Sequence, residues 1–193
     1  MPWVYEMFQN LLGGDATSSL VQEYIRPKPG DSILDIGCGP GRILEYLPSD
    51  VEYVGFDMDQ EYIDAAKKKY GSRGRFECKK VGRDVIEGLQ AFDIVIAVGV
   101  VHHLNDADAV QLFQLAHRAL APGQRLMTLD GCYVKGQHPI ARWLLSKDRG
   151  TYIRSPEEYE SIARQVFERV EVNVRHDGLR VPYTRAIITS TKD

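Results

Sequence analysis

From Ser32 onward, short apolar or β-branched runs alternate with stretches of helical period. The runs Ser32 to Ile36, Tyr53 to Phe56, Arg75 to Cys78, Phe92 to Val98 and Arg125 to Leu129 predict five strands. Between them, helices are expected over Arg42 to Leu47, Gln60 to Tyr70 and Ala107 to Leu120, the last with Val110, Phe113, Leu115, Ala116 and Leu120 as a buried stripe. Pro48, Gly71 and Pro122-Gly123 punctuate these elements. Such alternation is the mark of repeated strand-helix units around a largely parallel sheet, a doubly wound, Rossmann-like α/β fold with helices on both faces.

After Asp130 the pattern changes. An irregular, aromatic and basic stretch runs to about Arg154, and Ser155-Pro156-Glu157-Glu158 then reads as an N-cap, a proline at the first helical position and an acidic first turn, opening a helix to about Val166. Val170 to Val174 and Ala186 to Thr189 predict two closing strands, joined by a loop containing Gly178 and Pro182. Ahead of Ser32, Val4 to Leu12 has the pattern of an amphipathic helix, and Ser18 to Ile25 starts another. The expected organisation is one domain over 1–193, with 1–30 as a helical cover of a sheet edge or a lid, and 131–155 as an insert.

Size and charge narrow the function. A chain of 193 residues that is 44% hydrophobic can bury one sizeable core. The formal charge of −3 supplies no broad basic surface, which disfavours a nucleic-acid partner. No apolar stretch approaches a bilayer span, and Met1 to Asn10 lacks the basic start and apolar core of a secretory signal, so a cytoplasmic protein is expected. Cys38, Cys78 and Cys132 are an odd number without close spacing, which fits free thiols rather than a zinc cluster or disulfide framework.

The stretch Asp35-Ile36-Gly37-Cys38-Gly39-Pro40-Gly41 directly follows the first predicted strand. Alternate glycines allow a sharp turn and let a bulky ligand approach the main chain with no Cβ in the way. A dinucleotide loop prefers Gly-x-Gly-x-x-Gly with a pyrophosphate on the following helix, but here the third glycine comes one residue early and Arg42 holds the expected place. S-adenosylmethionine carries an ammonium, a carboxylate and a sulfonium and no phosphate, and Asp35 is suited to accept hydrogen bonds from the ammonium. Asp57 ends the second strand, where its carboxylate can accept from both hydroxyls of a ribose. An NAD enzyme would use the same aspartate, so the glycine spacing makes the distinction. Asp59 nearby suits a helix cap.

These residues, with Phe92-Asp93-Ile94-Val95 and Val101-His102-His103-Leu104, resemble the class I S-adenosylmethionine-dependent methyltransferases, and most of all the small-molecule branch that includes ubiquinone- and menaquinone-type enzymes. The likeness is close over Ser32 to Asp130. It implies a seven-stranded sheet with an antiparallel closing strand, S-adenosylmethionine as cofactor with S-adenosylhomocysteine as product, and transfer of a methyl group to O, N or C of a small metabolite by a monomer or homodimer. It also implies a cofactor site made of Asp35, Gly37, Cys38, Gly39, Gly41, Asp57, Met58, Val81 and Gly99. Two departures stand out. After the third strand the chain reads Cys78-Lys79-Lys80-Val81-Gly82-Arg83 before reaching Asp84, where the family commonly has an acid that reads adenine; either Asp84 is brought in, or Val81 and main-chain groups hold the base. Ala121-Pro122-Gly123-Gln124 replaces a proline followed by two glycines, which touches only a turn.

Methyl transfer needs in-line attack and, for a protonated acceptor, a base. His102 and His103 follow the fourth strand and could serve, or could simply cap the loop. The acceptor side is expected in 131–155, where Tyr133, His138 and Arg154 stand out among mixed cations and aromatics suited to a polar or anionic small molecule, with Tyr5 of the N-terminal segment as a further contact. Asp130 suits a loop cap, a cation or a proton. A non-catalytic S-adenosylmethionine-binding module and an NAD-dependent oxidoreductase are the other readings.

Overall fold

A computed structural model describes residues 14–148, 150–176 and 182–193. The helix expected over Val4 to Leu12, with Tyr5 and Phe8, lies outside them. The described chain opens with α1 (Gly14–Leu20), which runs on into a π turn over Val21–Ile25 and stops at Arg26, whose φ of 47° is left-handed.

Seven strands form one sheet in the order β3-β2-β1-β4-β5-β7-β6. They are β1 (Ser32–Ile36), β2 (Glu52–Asp57), β3 (Gly74–Cys78), β4 (Phe92–Val98), β5 (Leu120–Gly131), β6 (Arg169–Arg175) and β7 (Arg185–Thr191). The pairings among β1 to β5 are parallel, and β7 runs antiparallel to both neighbours. β5 begins earlier than its apolar run, at Leu120, with a register break opposite Phe92 and Ile94 where Pro122-Gly123 interrupts the ladder.

The helices are α2 (Gln60–Tyr70), α3 (Arg83–Glu87), α4 (Asp106–Ala119), α5 (Pro139–Ser146) and α6 (Pro156–Ala163). Local chemistry starts most of them. The Asp59 carboxylate accepts from the Glu61 and Tyr62 amides, Asn105 caps α4, and Ser155 and Glu158 form a reciprocal capping box ahead of α6. The helix expected over Arg42 to Leu47 is only a 3-10 turn, Arg42–Glu45, and two helices were not foreseen: α3, and α5 within the stretch read as irregular. α5 is seated by packing, because Gly131 leaves room for Leu145: a Cβ there would come within 2.5 Å of the leucine Cδ2.

Strand alternation divides the core between the two faces of the sheet. Leu34, Ile36, Val95 and Ala97 pack with Phe113 of α4 and Tyr159 of α6 on one face. Ile33, Ile94 and Ile96 pack with Ile25 of the π turn and Ile63 of α2 on the other. β1 and β4 are adjacent, so successive connections leave them toward opposite faces and open a crevice beyond their carboxyl ends, where ligands of such sheets bind.

Candidate cofactor and acceptor site

The loop after β1 is held open by its own backbone. Gly37, Gly39 and Gly41 have φ of 80°, 52° and 72°, the left-handed region that side chains disfavour. At Gly37 space is limiting as well, since an added Cβ would lie 2.5 Å from Val100 Cγ2. The Gly37 and Cys38 amides both donate to the Phe56 carbonyl, at 2.7 and 3.0 Å. The Asp57 carboxylate then accepts from two amides, Gly39 through Oδ2 at 2.8 Å and Asp59 through Oδ1 at 2.9 Å. Each oxygen of Asp57 keeps a further lone pair, so a ribose diol can still be received.

A cavity of about 450 Å³ lies over this crevice. Its walls include Ile36, Phe56, Val98 and Val100 from the strand ends, and Asp108, Gln111, Leu112 and Leu115 from α4. Of the residues expected to hold cofactor, Gly37, Asp57, Met58, Val81 and Gly99 line it. Gly99 has φ of 72° and an added Cβ would meet only ordinary contacts, so it serves conformation rather than clearance. Met58 is 74% exposed at the mouth, an unusual placement for a large apolar side chain. Size, apolar walls and the open valences of Asp57 fit an adenosyl group.

Asp35, Cys38, Gly39 and Gly41 do not line this cavity. Asp35 is buried under the loop, where the Tyr53 hydroxyl donates to it at 2.5 Å. Burial pushes its carboxyl up to about 7, the Tyr53 hydrogen bond opposes that rise, and the neighbouring Asp57 charge adds to it. Cys38 packs over Gly55, where a Cβ would lie 2.8 Å from its sulfur, and burial together with the Asp35 and Asp57 charges pushes its thiol up. Gly41 turns the chain against the Phe76 ring, 2.9 Å from where its Cβ would be.

The loop after β3 runs along the cavity. Asp84 does not line the cavity; its side chain is mostly exposed and pairs with Lys79 at 3.5 Å. Lys79 and Lys80 line the cavity beside Val81, although their charge gave no reason to select them from sequence. Tyr62 and Gln111 line it as well. The helical spacing of Asp108, Gln111 and Leu115 was the signal that could have put them on one face.

The two histidines separate. His103 lines the cavity; His102 is buried and its ring stacks on that of His103 at 4.2 Å. His102 Nδ1 lies 2.7 Å from Asp130 Oδ1, which also accepts the His102 amide at 3.1 Å. On its other side Nε2 lies 3.6 Å from Asp148. Asp130 thus caps the 3-10 turn Val101–His103, and its Oδ2 is buried without a hydrogen-bond partner.

The expectation that Arg154 meets an acceptor is corrected. Its side chain is buried, and all five N–H groups are used: two on Asp106, the others on the carbonyls of Val101, Leu104 and Tyr152. No donor is left for a ligand. Neither Tyr133 nor His138 lines the described cavity. His138 caps α5 by accepting the Ile140 amide at 3.2 Å, and Tyr133 lies under the Arg142 guanidinium at 5.3 Å. Tyr5 lies outside the described residues.

Among the described residues no group of histidine, cysteine or acidic side chains is arranged to hold a metal, and no helix is long and apolar enough to cross a membrane. Cys38, Cys78 and Cys132 are free.

Residues 33–123 match the family model of a methyltransferase domain. An O-methyltransferase of Pyrenophora dematioidea is 32% identical over 132 residues, 62% of this chain and 47% of that protein. A tRNA U34 carboxymethyltransferase of Photorhabdus laumondii is 30% identical over 121 residues, covering 60% of this chain and 36% of that protein. This chain therefore matches less than half the length of these curated relatives. Among solved structures, the Haemonchus contortus phosphoethanolamine N-methyltransferase 2 in complex with S-adenosyl-L-methionine superposes with a TM-score of 0.70 at 17% identity, over 93% of this chain and 53% of that one. The sheet order, the glycine loop and the domain match agree: residues 33–123 carry a methyltransferase domain, on the fold of the S-adenosylmethionine-dependent methyltransferases.

Proposed function

We propose that this chain binds S-adenosylmethionine in the cavity beyond β1, β2 and β4 and methylates O, N or C of a small metabolite. The observation that carries the reading is the Asp57 carboxylate, tied to the glycine loop at Gly39 while keeping lone pairs for a ribose at the edge of an apolar cavity of about 450 Å³. In this reading Asp57 receives the ribose diol, Met58 and Val81 flank the adenine, and Gly37 and Gly99 let the cofactor approach the main chain. Asp35 receives the ammonium from beneath the loop, while Cys38, Gly39 and Gly41 shape it. Bound cofactor supplies a methyl group already activated on a sulfonium, so the protein orients the acceptor and excludes water. In this reading His103, which lines the cavity wall, takes the proton of a protonated acceptor. The segment between β5 and α6, with Tyr133 and His138, is read as the acceptor side. A net charge of −3 and free thiols support a small-molecule acceptor and a cytoplasmic setting for a monomer or homodimer.

Calorimetry with S-adenosylhomocysteine and with NAD tests the cofactor, and transfer of labelled methyl to a panel of hydroxylated, amino and carbanion-forming metabolites tests the reaction. Saturable binding of the first ligand alone, followed by labelling of a metabolite, is expected. The tRNA-directed relative makes bulk tRNA the necessary comparison. Labelling of tRNA alone would replace the small-molecule acceptor, and tight cofactor binding without any transfer would make the chain a binding module.

A further inference from the structure

His102 is a buried imidazole between two carboxylates that come from different parts of the fold. Asp130 belongs to the end of β5, and Asp148 follows α5. The chain beyond Asp148 closes tightly on the same ring: a Cβ on Gly150 would lie 2.1 Å from His102 Cδ2, and the Tyr152 amide donates to the His102 carbonyl at 2.9 Å. Asp148 is itself oriented, since its Oδ2 accepts from the Tyr183 hydroxyl at 2.9 Å. The 3-10 turn that carries His102 also carries His103, and with Gly99, Val100 and Leu104 it forms one wall of the cavity.

We propose that His102 is a positioning residue whose imidazolium, held between Asp130 and Asp148, clasps the segment between β5 and α6 onto the cavity wall, so that loss of its proton releases that segment. A neutral imidazole would have one N–H for two carboxylates, whereas the imidazolium presents a donor to each side. Besides the two aspartates, the charged and titratable neighbours are His103, whose ring is stacked on that of His102, and Arg154, which reaches the Val101 and Tyr152 carbonyls. Burial favours the neutral ring, but the hydrogen bond and charge of Asp130 and the charge of Asp148 outweigh it, and the His102 pKa is raised from its ordinary 6.5. Opening removes Asp148 but leaves Asp130 beside the ring, so the clasp draws on the share of that rise that Asp148 supplies: it has full strength below the pKa of the opened form and fades as pH rises through that of the closed form. The clasp stands on this geometry alone; that its release admits an acceptor rests on the methyl-transfer reading.

Hydrogen–deuterium exchange of the whole chain, followed between about pH 6 and about pH 9 and corrected for intrinsic exchange, reads the clasp directly. Opening of 133–152 relative to α2 should increase with pH, by at most about tenfold per pH unit, the limit for one linked proton. Asp148→Asn and His102→Gln should abolish the slope, and Gly150→Ala should open the segment at every pH. S-adenosylhomocysteine affinity at about pH 7 should be unchanged in Asp148→Asn. A pH-independent opening in the natural chain, an undiminished slope in Asp148→Asn, or loss of cofactor binding in that variant would overturn the proposal. If His102→Gln fails to fold, Asp148→Asn decides. Failure of methyl transfer would leave the exchange result standing.

Discussion

Asp57 Oδ2 accepts the Gly39 amide at 2.8 Å, so the residue that ends the second strand fixes the loop that follows the first. The carboxylate therefore has two tasks, shaping the loop and presenting its remaining lone pairs to the ribose. Asp57→Ala should weaken S-adenosylhomocysteine binding by about 1 to 3 kcal/mol, the scale for hydrogen bonds to a charged group. Asp57→Asn should lose less, because its amide oxygen can still accept the Gly39 N–H. Equal dissociation constants for Asp57→Ala and the natural chain would place the ribose elsewhere.

Gly37→Ala puts a methyl 2.5 Å from Val100 Cγ2 at a φ of 80°, and Gly39→Val puts a branched side chain at a φ of 52°. Both should abolish cofactor binding while the circular-dichroism spectrum stays that of the folded chain. The two differ in cause. Trimming Val100 to alanine should recover part of the affinity in Gly37→Ala and none in Gly39→Val, and equal recovery in both would contradict the contact.

Replacing Arg154 should cost stability rather than acceptor binding. Arg154→Ala takes the side-chain donor from the Leu104 carbonyl, leaves the Val101 carbonyl with the Leu104 amide alone and removes the guanidinium from Asp106, for a loss of about 2 to 4 kcal/mol in urea unfolding. Arg154→Lys cannot span the same acceptors with three donors and should recover little. An unfolding midpoint equal to that of the natural chain would show that the clamp is dispensable.

The Asp35 carboxyl, pushed up to about 7 by burial, predicts a pH dependence of its own. An acid whose pKa is raised by folding stabilises the empty protein fully below its ordinary value of 3.8 and ceases to do so as pH rises through about 7. The proposed ammonium contact needs the ionised form, so cofactor affinity should rise with pH across the same window and binding near neutrality should release a proton. Tyr53→Phe removes the hydrogen bond that opposes the shift and should move the window upward. Calorimetry in buffers of different ionisation enthalpy measures the proton; none released near neutrality would separate Asp35 from the ammonium.

What the sequence determined by itself was whatever a few neighbouring residues decide. β1 and β4 fall where their apolar runs lie, α2 spans Gln60–Tyr70 as its period required, and the Ser155 to Glu158 signal became a capping box. The left-handed glycines of the loop after β1 were legible for the same reason, since a backbone angle is a local property. Tertiary structure decided what depends on partners far along the chain. Arg154 reads as an acceptor-side cation until Asp106 and the Val101 carbonyl arrive, 48 and 53 residues away. His102 and His103 are equivalent in sequence, and only the approach of Asp130 and Gly150 buries the first while the second is left on the cavity wall. Lys79 and Lys80 came to line the cavity because β3 ends beside β2, a pairing that no local pattern encodes. The identity of an element follows from short-range sterics and hydrogen bonds, whereas the role of a charged side chain depends on which distant groups folding brings within about 3 Å of it.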